Sequence, residues 1–451
     1  MQASASGIDA QTTERRKAMN ASIDSQSMTH PLTAHIRPGH PPPNLSAVEK
    51  TGGYQALRKA LGDMTPAAVQ DDVLQANLRG RGGAGFPTGR KWGFVPMGED
   101  APRPKYLVVN ADEMEPATFK DRLLMEGNPH QLIEGIVIAA YAVQAEIAYL
   151  FLRRAYATAA RRLSAAIAEA YAAGYLGRDI LGSGFSLDLY LHESAGRYIC
   201  GEETALLNAL EGKRAVPRAK PPFPPVVGLW GKPTVANNVE TLYNIAPIIH
   251  RGPAWFRDLS RVADGGTKIY GASGKVRRPG AWELPLGVTA REILEEHAGG
   301  MAGDLMLRAF MPGGASTDLL TAEHLDVQMD FNSMQAAGSR LGTGTMVVID
   351  DGTCIVGLVA NLMHFFAQES CGWCTPCREG LPWLARILAA IEHGRGEPGD
   401  IEQLKRHTRL LTPGHTFCAL APGAMEPLQS ALTYFEADFN RHIKEGRCPW
   451  R

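Results

Sequence analysis

Cys371, Cys374 and Cys377 fall in a single C-x-x-C-x-x-C run, Cys371-Gly372-Trp373-Cys374-Thr375-Pro376-Cys377, and a fourth cysteine follows at Cys418. A tetrahedral zinc site usually draws two ligands from each of two separated knuckles. A cubane iron–sulfur cluster instead takes three thiolates from one winding loop and a fourth from a distant segment. Gly372 and Pro376 supply the bends that such a wrap requires. The spacing therefore predicts a 4Fe-4S cluster held by Cys371, Cys374, Cys377 and Cys418, with zinc or a disulfide as the alternatives, and points to electron transfer.

Four further segments carry residue types suited to a ligand crevice. Gly80-Arg81-Gly82-Gly83-Ala84-Gly85-Phe86 runs on to Lys91, and three of its glycines match G-x-G-x-x-G. The Rossmann fingerprint needs a strand before that loop and a helix after it; here a helix precedes it and Pro87 follows, so that label does not apply. Small residues still let backbone N–H groups approach a phosphate or a flat ring, with charge from Arg81 and Lys91. Asn110-Ala111-Asp112-Glu113-Met114-Glu115 crowds three carboxylates together. Such a cluster suits either sugar hydroxyl donors or plain solvent. Gly196 to Thr204, containing Tyr198, Gly201, Glu202 and Glu203, follows a strand and opens a helix, and Asn237-Asn238-Val239-Glu240-Thr241 adds an amide pair. Between them Lys220-Pro221-Pro222-Phe223-Pro224-Pro225 is stiff and extended, presenting one ring.

The elements that must position these segments alternate. A helix is predicted over 66–78, strands over 105–110, 147–152 and 185–191, and helices over 129–143, 155–173 and 203–210. Strands separated by helices imply a parallel α/β sheet, with ligands at the carboxyl ends of its strands. From 268 onward strand, strand, helix, strand is expected, the helix over 289–297. After Cys354 the spacing of Ile355, Leu358, Leu362 and Phe365, and of Leu428, Ala431, Leu432, Phe435 and Phe439, predicts a helical bundle with the cysteine loop between two helices. Lys plus Arg (46) nearly cancels Asp plus Glu (47), so no global field favours nucleic acid or an anionic membrane. Seven cysteines, four of them claimed by one cluster, argue against a disulfide framework. The apolar stretch 133–152 is broken by Glu134, Gln144 and Glu146, against a membrane span. Residues 1 to about 29 lack apolar periodicity and suggest a disordered extension. Cys200 and Cys354 are expected to be buried apolar residues and Cys448 to be exposed; no histidine is assigned a role.

Taken in order, the glycine loop, the Asn110–Glu113 loop, Gly201-Glu202-Glu203-Thr204, Asn237–Thr241 and Glu369-Ser370-Cys371-Gly372-Trp373-Cys374 resemble the flavoprotein (F-type) subunit of bacterial complex I, the NADH:quinone oxidoreductase. The resemblance runs from about His30 to the C-terminus and is shared with diaphorase subunits of soluble NAD-linked hydrogenases and formate dehydrogenases. It implies FMN held by Gly80, Arg81, Gly82, Gly83, Ala84, Gly85 and Lys91, with Asn110, Asp112, Glu113, Tyr198, Gly201, Glu202, Asn237, Asn238 and Thr241. NADH would lie over the flavin. Glu115 and Glu203, the residues placed nearest the catalytic step, would make polar contacts to it, Phe86, Phe94 and Phe223 would hold adenine, and Lys220 would lie near the nucleotide. The implied fold is an extended or disordered segment over 1–45, an FMN- and NADH-binding α/β domain over 46–250, a ubiquitin-like α+β domain over 251–345 and a helical bundle with the 4Fe-4S site over 346–451. Implied partners are the adjacent iron–sulfur subunits of complex I (the E-type and G-type subunits) and, through them, quinone, in a proton-pumping complex whose peripheral part lies at the cytoplasmic face of the inner membrane.

Overall fold

In the computed structural model, which describes residues 28–450, two four-stranded sheets pack against one C-terminal layer of helices. The first sheet contains β1 (Tyr106–Ala111), β2 (Ile147–Arg153), β3 (Asp188–Ser194) and β4 (Thr234–Asn238), all parallel and in the order β3-β2-β1-β4. Parallel strands covered on both faces need apolar residues at nearly every position, and β1 supplies Tyr-Leu-Val-Val. The two-residue alternation then divides them between two cores. Leu107, Val109 and Ala111 join Leu150 and Leu152 in a core with the helix Pro129–Val143. Tyr106, Val108 and Phe151 turn the other way, toward the helix Glu203–Leu210 and the C-terminal helices. The helix Pro129–Val143 lies very close to its neighbour: a Cβ on Gly135 would stand 2.1 Å from the carbonyl oxygen of Leu242.

The connections from β1 to β2 to β3 step outward in one direction, and β4 then returns to the far side of β1. That reversal opens a crevice at the carboxyl ends of β1 and β4. The register aligns Asn110 with Asn238 there. Asn237 and Asn238, which sequence patterning places in no element, end a strand. The strand expected over 185–191 is shifted to Asp188–Ser194, because Leu187 pairs with Gly177 in an isolated bridge that precedes the sheet.

The second sheet has β5 (Thr267–Gly274), β6 (Gly280–Pro285), β7 (Leu307–Met311) and β8 (Thr345–Asp350) in the order β6-β5-β8-β7. β5 is antiparallel to β6 and parallel to β8, and β8 is antiparallel to β7. The helical crossover after β6 starts at a capping box between Thr289 and Glu292 and continues as a wider turn over Ile293–His297. The last hundred residues form the helices Ile355–Glu369, Thr375–Glu392, Asp400–Leu410, Leu420–Tyr434 and Glu436–Glu445. Their apolar stripes meet Tyr106, Val108, Phe151, Ala309, Met311 and Ile349, so the bundle shares a core with both sheets. Among the described residues no helix is long and apolar enough to cross a membrane.

The N-terminal expectation lies outside the described residues up to position 27. From 28 onward the chain is anchored. Leu32 is buried, and the N–H groups of Leu32 and Thr33 and the Thr33 hydroxyl all donate to the Glu283 carboxylate on β6 at 2.8–3.0 Å.

Candidate active site and metal centre

The crevice at the strand ends widens into a cavity of about 1040 Å³, at the upper limit for small-molecule sites. Its wall carries the glycine loop (Gly80, Gly82, Gly83, Ala84, Gly85, Phe86), Lys91, Phe94, Asn110, Asp112, Glu113, Glu115, Tyr198, Gly201, Glu202, Glu203, Lys220, Phe223, Asn237, Asn238 and Thr241. Arg81 is the exception. Its guanidinium is fully buried and points away from the cavity, donating to the carbonyls of Gly265 and Thr267 at 2.7 and 3.1 Å, while its N–H donates to the Thr241 hydroxyl at 2.8 Å. Arg81 therefore clamps the loop to β5 and brings no charge to the crevice. Gly82 passes so near β4 that an added Cβ would sit 3.0 Å from that of Asn238, and Gly83 has φ +121°, so backbone alone forms this wall.

The amide and acidic groups are held by specific bonds. Asn110 Nδ2 donates to the Gly201 carbonyl at 3.2 Å, Asn237 Oδ1 accepts from the Trp92 indole at 2.9 Å, and Asn238 Nδ2 donates to Asp121 at 2.6 Å. Burial lifts the Asp112 carboxyl to about 6; one oxygen accepts from Ser194 at 3.0 Å, and the other is buried with no protein donor. Glu113, lifted to about 7 by burial and then by the Asp121 charge, turns to the start of the helix Lys120–Gly127 and accepts the N–H groups of Asp121 and Arg122. Glu115 accepts from the Tyr198 hydroxyl at 2.6 Å and the Ser316 N–H at 2.7 Å; burial raises its pKa against those bonds.

At the mouth, burial acts to raise the Glu203 pKa, but Lys91 at 2.7 Å and Lys220 at 3.1 Å outweigh it and hold the carboxylate below its usual range. Lys220 also reaches Glu202, whose second oxygen caps the helix Glu203–Leu210 by accepting from Thr204 and Ala205. Phe86, Phe94 and Phe223 are each about half exposed beside this charged group, leaving faces on which a flat ring can stack.

Sequence reasoning misses several members of the wall. Lys120 is buried between Asp121 (2.7 Å) and Glu240 (2.9 Å), whose charges overcome the effect of burial and raise its pKa. The helix-opening pair Lys120-Asp121 so soon after three carboxylates is the available signal. Arg340, Ser316, Gly342 and Thr343 enter the wall from the second sheet's connections, which no local pattern near the glycine loop announces.

The cysteines lie against the same cavity. Cys418 lines it together with Ala419 and Leu420. Cys371 follows the end of the helix Ile355–Glu369, Cys374 occupies the position just before the helix Thr375–Glu392, and Cys377 lies within the first turn of the latter, so the third cysteine of the run sits on a helix and not in the loop. Trp373 packs edge-to-face on Phe417, joining the two segments at 6.2 Å. Burial lifts Cys377 to about 12 and Cys418 to about 11, and in each case the other cysteines of the set add to the rise. Thiolate ligands gathered this closely suit a site where iron supplies the compensating charge. Glu369 ties this region to the cavity, accepting the Tyr198 N–H at 2.9 Å and pairing with Arg197 at 3.3 Å.

The Nuo51 FMN-binding domain family matches residues 73–247, and the NADH-ubiquinone oxidoreductase-F iron-sulfur binding region matches residues 357–442. The F subunit of the NADH-quinone oxidoreductase of Escherichia coli is 55% identical over 417 residues, spanning 92% of this chain and 94% of that protein. The chain belongs to the NADH-quinone oxidoreductase F-subunit family. The Mycobacterium tuberculosis F subunit is 51% identical over 400 residues, covering 88% of this chain and 89% of its own. Among solved structures, an NAD+-reducing [NiFe]-hydrogenase in the H2-reduced state superposes with a TM-score of 0.77 at 34% identity, over 90% of this chain and 67% of that one. The F-subunit match thus extends over nearly the whole of both chains, the hydrogenase match over two thirds of the larger one.

Proposed function

We propose that the cavity holds FMN against the glycine loop and the strand-end asparagines, and that NADH enters over it through the aromatic mouth. The observation that carries this reading is one cavity whose wall includes both the flavin-type loops and Cys418. The residues fit the flavin: a side-chain-free glycine wall suits close approach of a ring or phosphate, and the unpartnered Asp112 oxygen suits a ribityl hydroxyl donor. The chain is then the NADH-oxidising subunit of an NADH:quinone oxidoreductase. When bound, FMN takes a hydride as an electron pair and releases electrons singly, which is how a 4Fe-4S cluster accepts them.

The chain's own residues orient the reactants and bind charge; the chemistry demands no general base. Lys91 and Lys220, clasping Glu203, fix a carboxylate where a nucleotide ribose can donate hydrogen bonds. Glu115 is held by two donors and serves to position. Cys371, Cys374, Cys377 and Cys418 would hold the cluster. The order β6-β5-β8-β7 with a crossover helix supports a ubiquitin-like reading of the second sheet; because β8 runs to Asp350, that unit extends past the expected boundary at 345, between an α/β unit over 46–250 and a bundle that begins with the helix Ile355–Glu369. We further assign E-type and G-type iron–sulfur subunits as neighbours, and the cytoplasmic face of the inner membrane, at the edge of a proton-pumping complex, as its place. A diaphorase role in a soluble hydrogenase has the structural likeness in its favour, but the higher identity to the F subunits weighs against it. Purification of the complex from its host tests this: flavin and iron should accompany the chain, with NADH oxidation by an artificial acceptor. A colourless chain, or one accompanied by hydrogenase subunits, would overturn the assignment.

A further inference from the structure

Cys354, Glu392, His442 and Cys448 each bring one ligand atom within 4.8 Å of all the others, and none of them lines the cavity. Cys448, expected at the surface, is buried, because the segment after the last helix folds back onto the bundle. The four residues come from separate places: the cap of the helix Ile355–Glu369, the end of the helix Thr375–Glu392, the helix Glu436–Glu445 and the segment beyond it. We propose that this quartet is a second metal site, a closed four-coordinate centre for a divalent ion of the zinc type, distinct from the cluster cysteines.

Distances, proton positions and packing all support it. Bonds of about 2.0–2.3 Å place the ligand atoms of a tetrahedral centre roughly 3.3–3.8 Å apart. Cys354 Sγ lies 3.2 Å from Glu392 Oε2 and 3.3 Å from His442 Nε2, and those two lie 3.2 Å apart. The triangle is slightly contracted, as expected before an ion spreads it. His442 Nδ1 lies 2.7 Å from the Asp438 carbonyl oxygen, which can only accept, so Nδ1 carries a proton and Nε2 is the ring nitrogen turned toward Cys354 and Glu392. An imidazole nitrogen, a carboxylate oxygen and a sulfur thus converge on one point, the donor set a zinc-type cation takes.

The surroundings are shaped to admit these groups. A Cβ on Gly357 would stand 3.0 Å from Glu392 Oε1, and one on Gly394, at φ +70°, would stand 2.0 Å from the Gly446 carbonyl oxygen, so both approaches depend on glycine. The Gly357 N–H donates to Cys354 Sγ at 3.2 Å and fixes the direction of the sulfur. The Trp450 ring stacks on His442 at 5.8 Å and covers it. A bound ion would tie the chain's last residues to the start of the bundle.

The test is metal analysis of the full chain in its complex, combined with zinc X-ray absorption. About one zinc per chain beyond the cluster iron is expected, with a first shell of mixed sulfur and nitrogen or oxygen. Cys448→Ser and His442→Gln should lose that zinc while keeping iron and flavin. Three results would overturn the proposal: no zinc in the unaltered complex, a four-sulfur shell marking zinc in the cluster cysteines, or a Cys354–Cys448 disulfide by mass spectrometry. The unaltered protein decides the matter even where a variant fails to fold.

Discussion

At the scale of single residues, the charged group at the mouth is the proposed determinant of nucleotide preference. Glu203 is held between two lysines, and a carboxylate there repels a 2′-phosphate. Glu203→Ala removes that repulsion and leaves Lys91 without its carboxylate partner, while Lys220 keeps Glu202. NADH should bind more weakly by about 1.5–3 kcal/mol, the range for hydrogen bonds to charged groups, and NADPH should become a better substrate. The Michaelis constants for both nucleotides check this; if neither moves, Glu203 does not touch the nucleotide. Residue types in short, polar, glycine-rich segments are readable from sequence because their chemistry is local. Where a long side chain points is not. Arg81 reads as a phosphate ligand in its loop, yet its partners are carbonyls some 185 positions away in the chain, beyond the reach of any local pattern.

At the scale of elements, the glycine loop and the anchored N-terminal segment each make a separable prediction. Gly82→Val would press two γ-carbons toward Asn238 and should cost about 1–3 kcal/mol as overpacking. The flavin content of the purified protein should fall with it, while iron remains. Glu283 joins residues 32 and 33 to β6, and burial lifts its carboxyl from 4.5 to about 7 despite several donors. Between those values the folded state holds a proton that the unfolded state has released, so this contribution is present at low pH and lost as pH rises toward 7. Its slope is about 1 kcal/mol per pH unit. Melting curves should therefore show a flatter pH dependence over that window in Glu283→Gln than in the unaltered chain, and equal slopes would refute the assignment. The long periodic helices, such as Pro129–Val143 and Glu203–Leu210, agree with sequence to the residue. β4 escapes a sequence reading because Thr-Val-Ala-Asn-Asn, directly after a proline, carries too little apolar pattern to separate a short strand from a loop. Its pairing with β1 supplies what its sequence lacks.

At the scale of the whole molecule, the helical bundle must hold the cluster without being needed to hold the flavin. The flavin-type loops rest on the first sheet, whereas Cys371 and Cys374 lie in the turn between two helices, Cys377 in the first turn of the second helix and Cys418 in the segment before a third. The two regions meet through Glu369 and along the stretch of cavity wall at Cys418. Cys418→Ala should therefore abolish the 4Fe-4S spectrum and leave most of the flavin bound. Oxidation of NADH with an artificial acceptor that reaches the flavin directly should survive, and transfer to quinone should fall to background, because the path for single electrons is cut beyond the cavity. A shared core between bundle and sheets makes a modest fall in melting temperature part of the expectation. Gly82→Val should behave differently, losing both activities together with its flavin. Two outcomes would break this order of electron flow: a normal cluster spectrum in Cys418→Ala, showing that the fourth ligand lies elsewhere, or quinone reduction by flavin-free protein, showing that electrons from NADH reach the cluster without passing through the cavity.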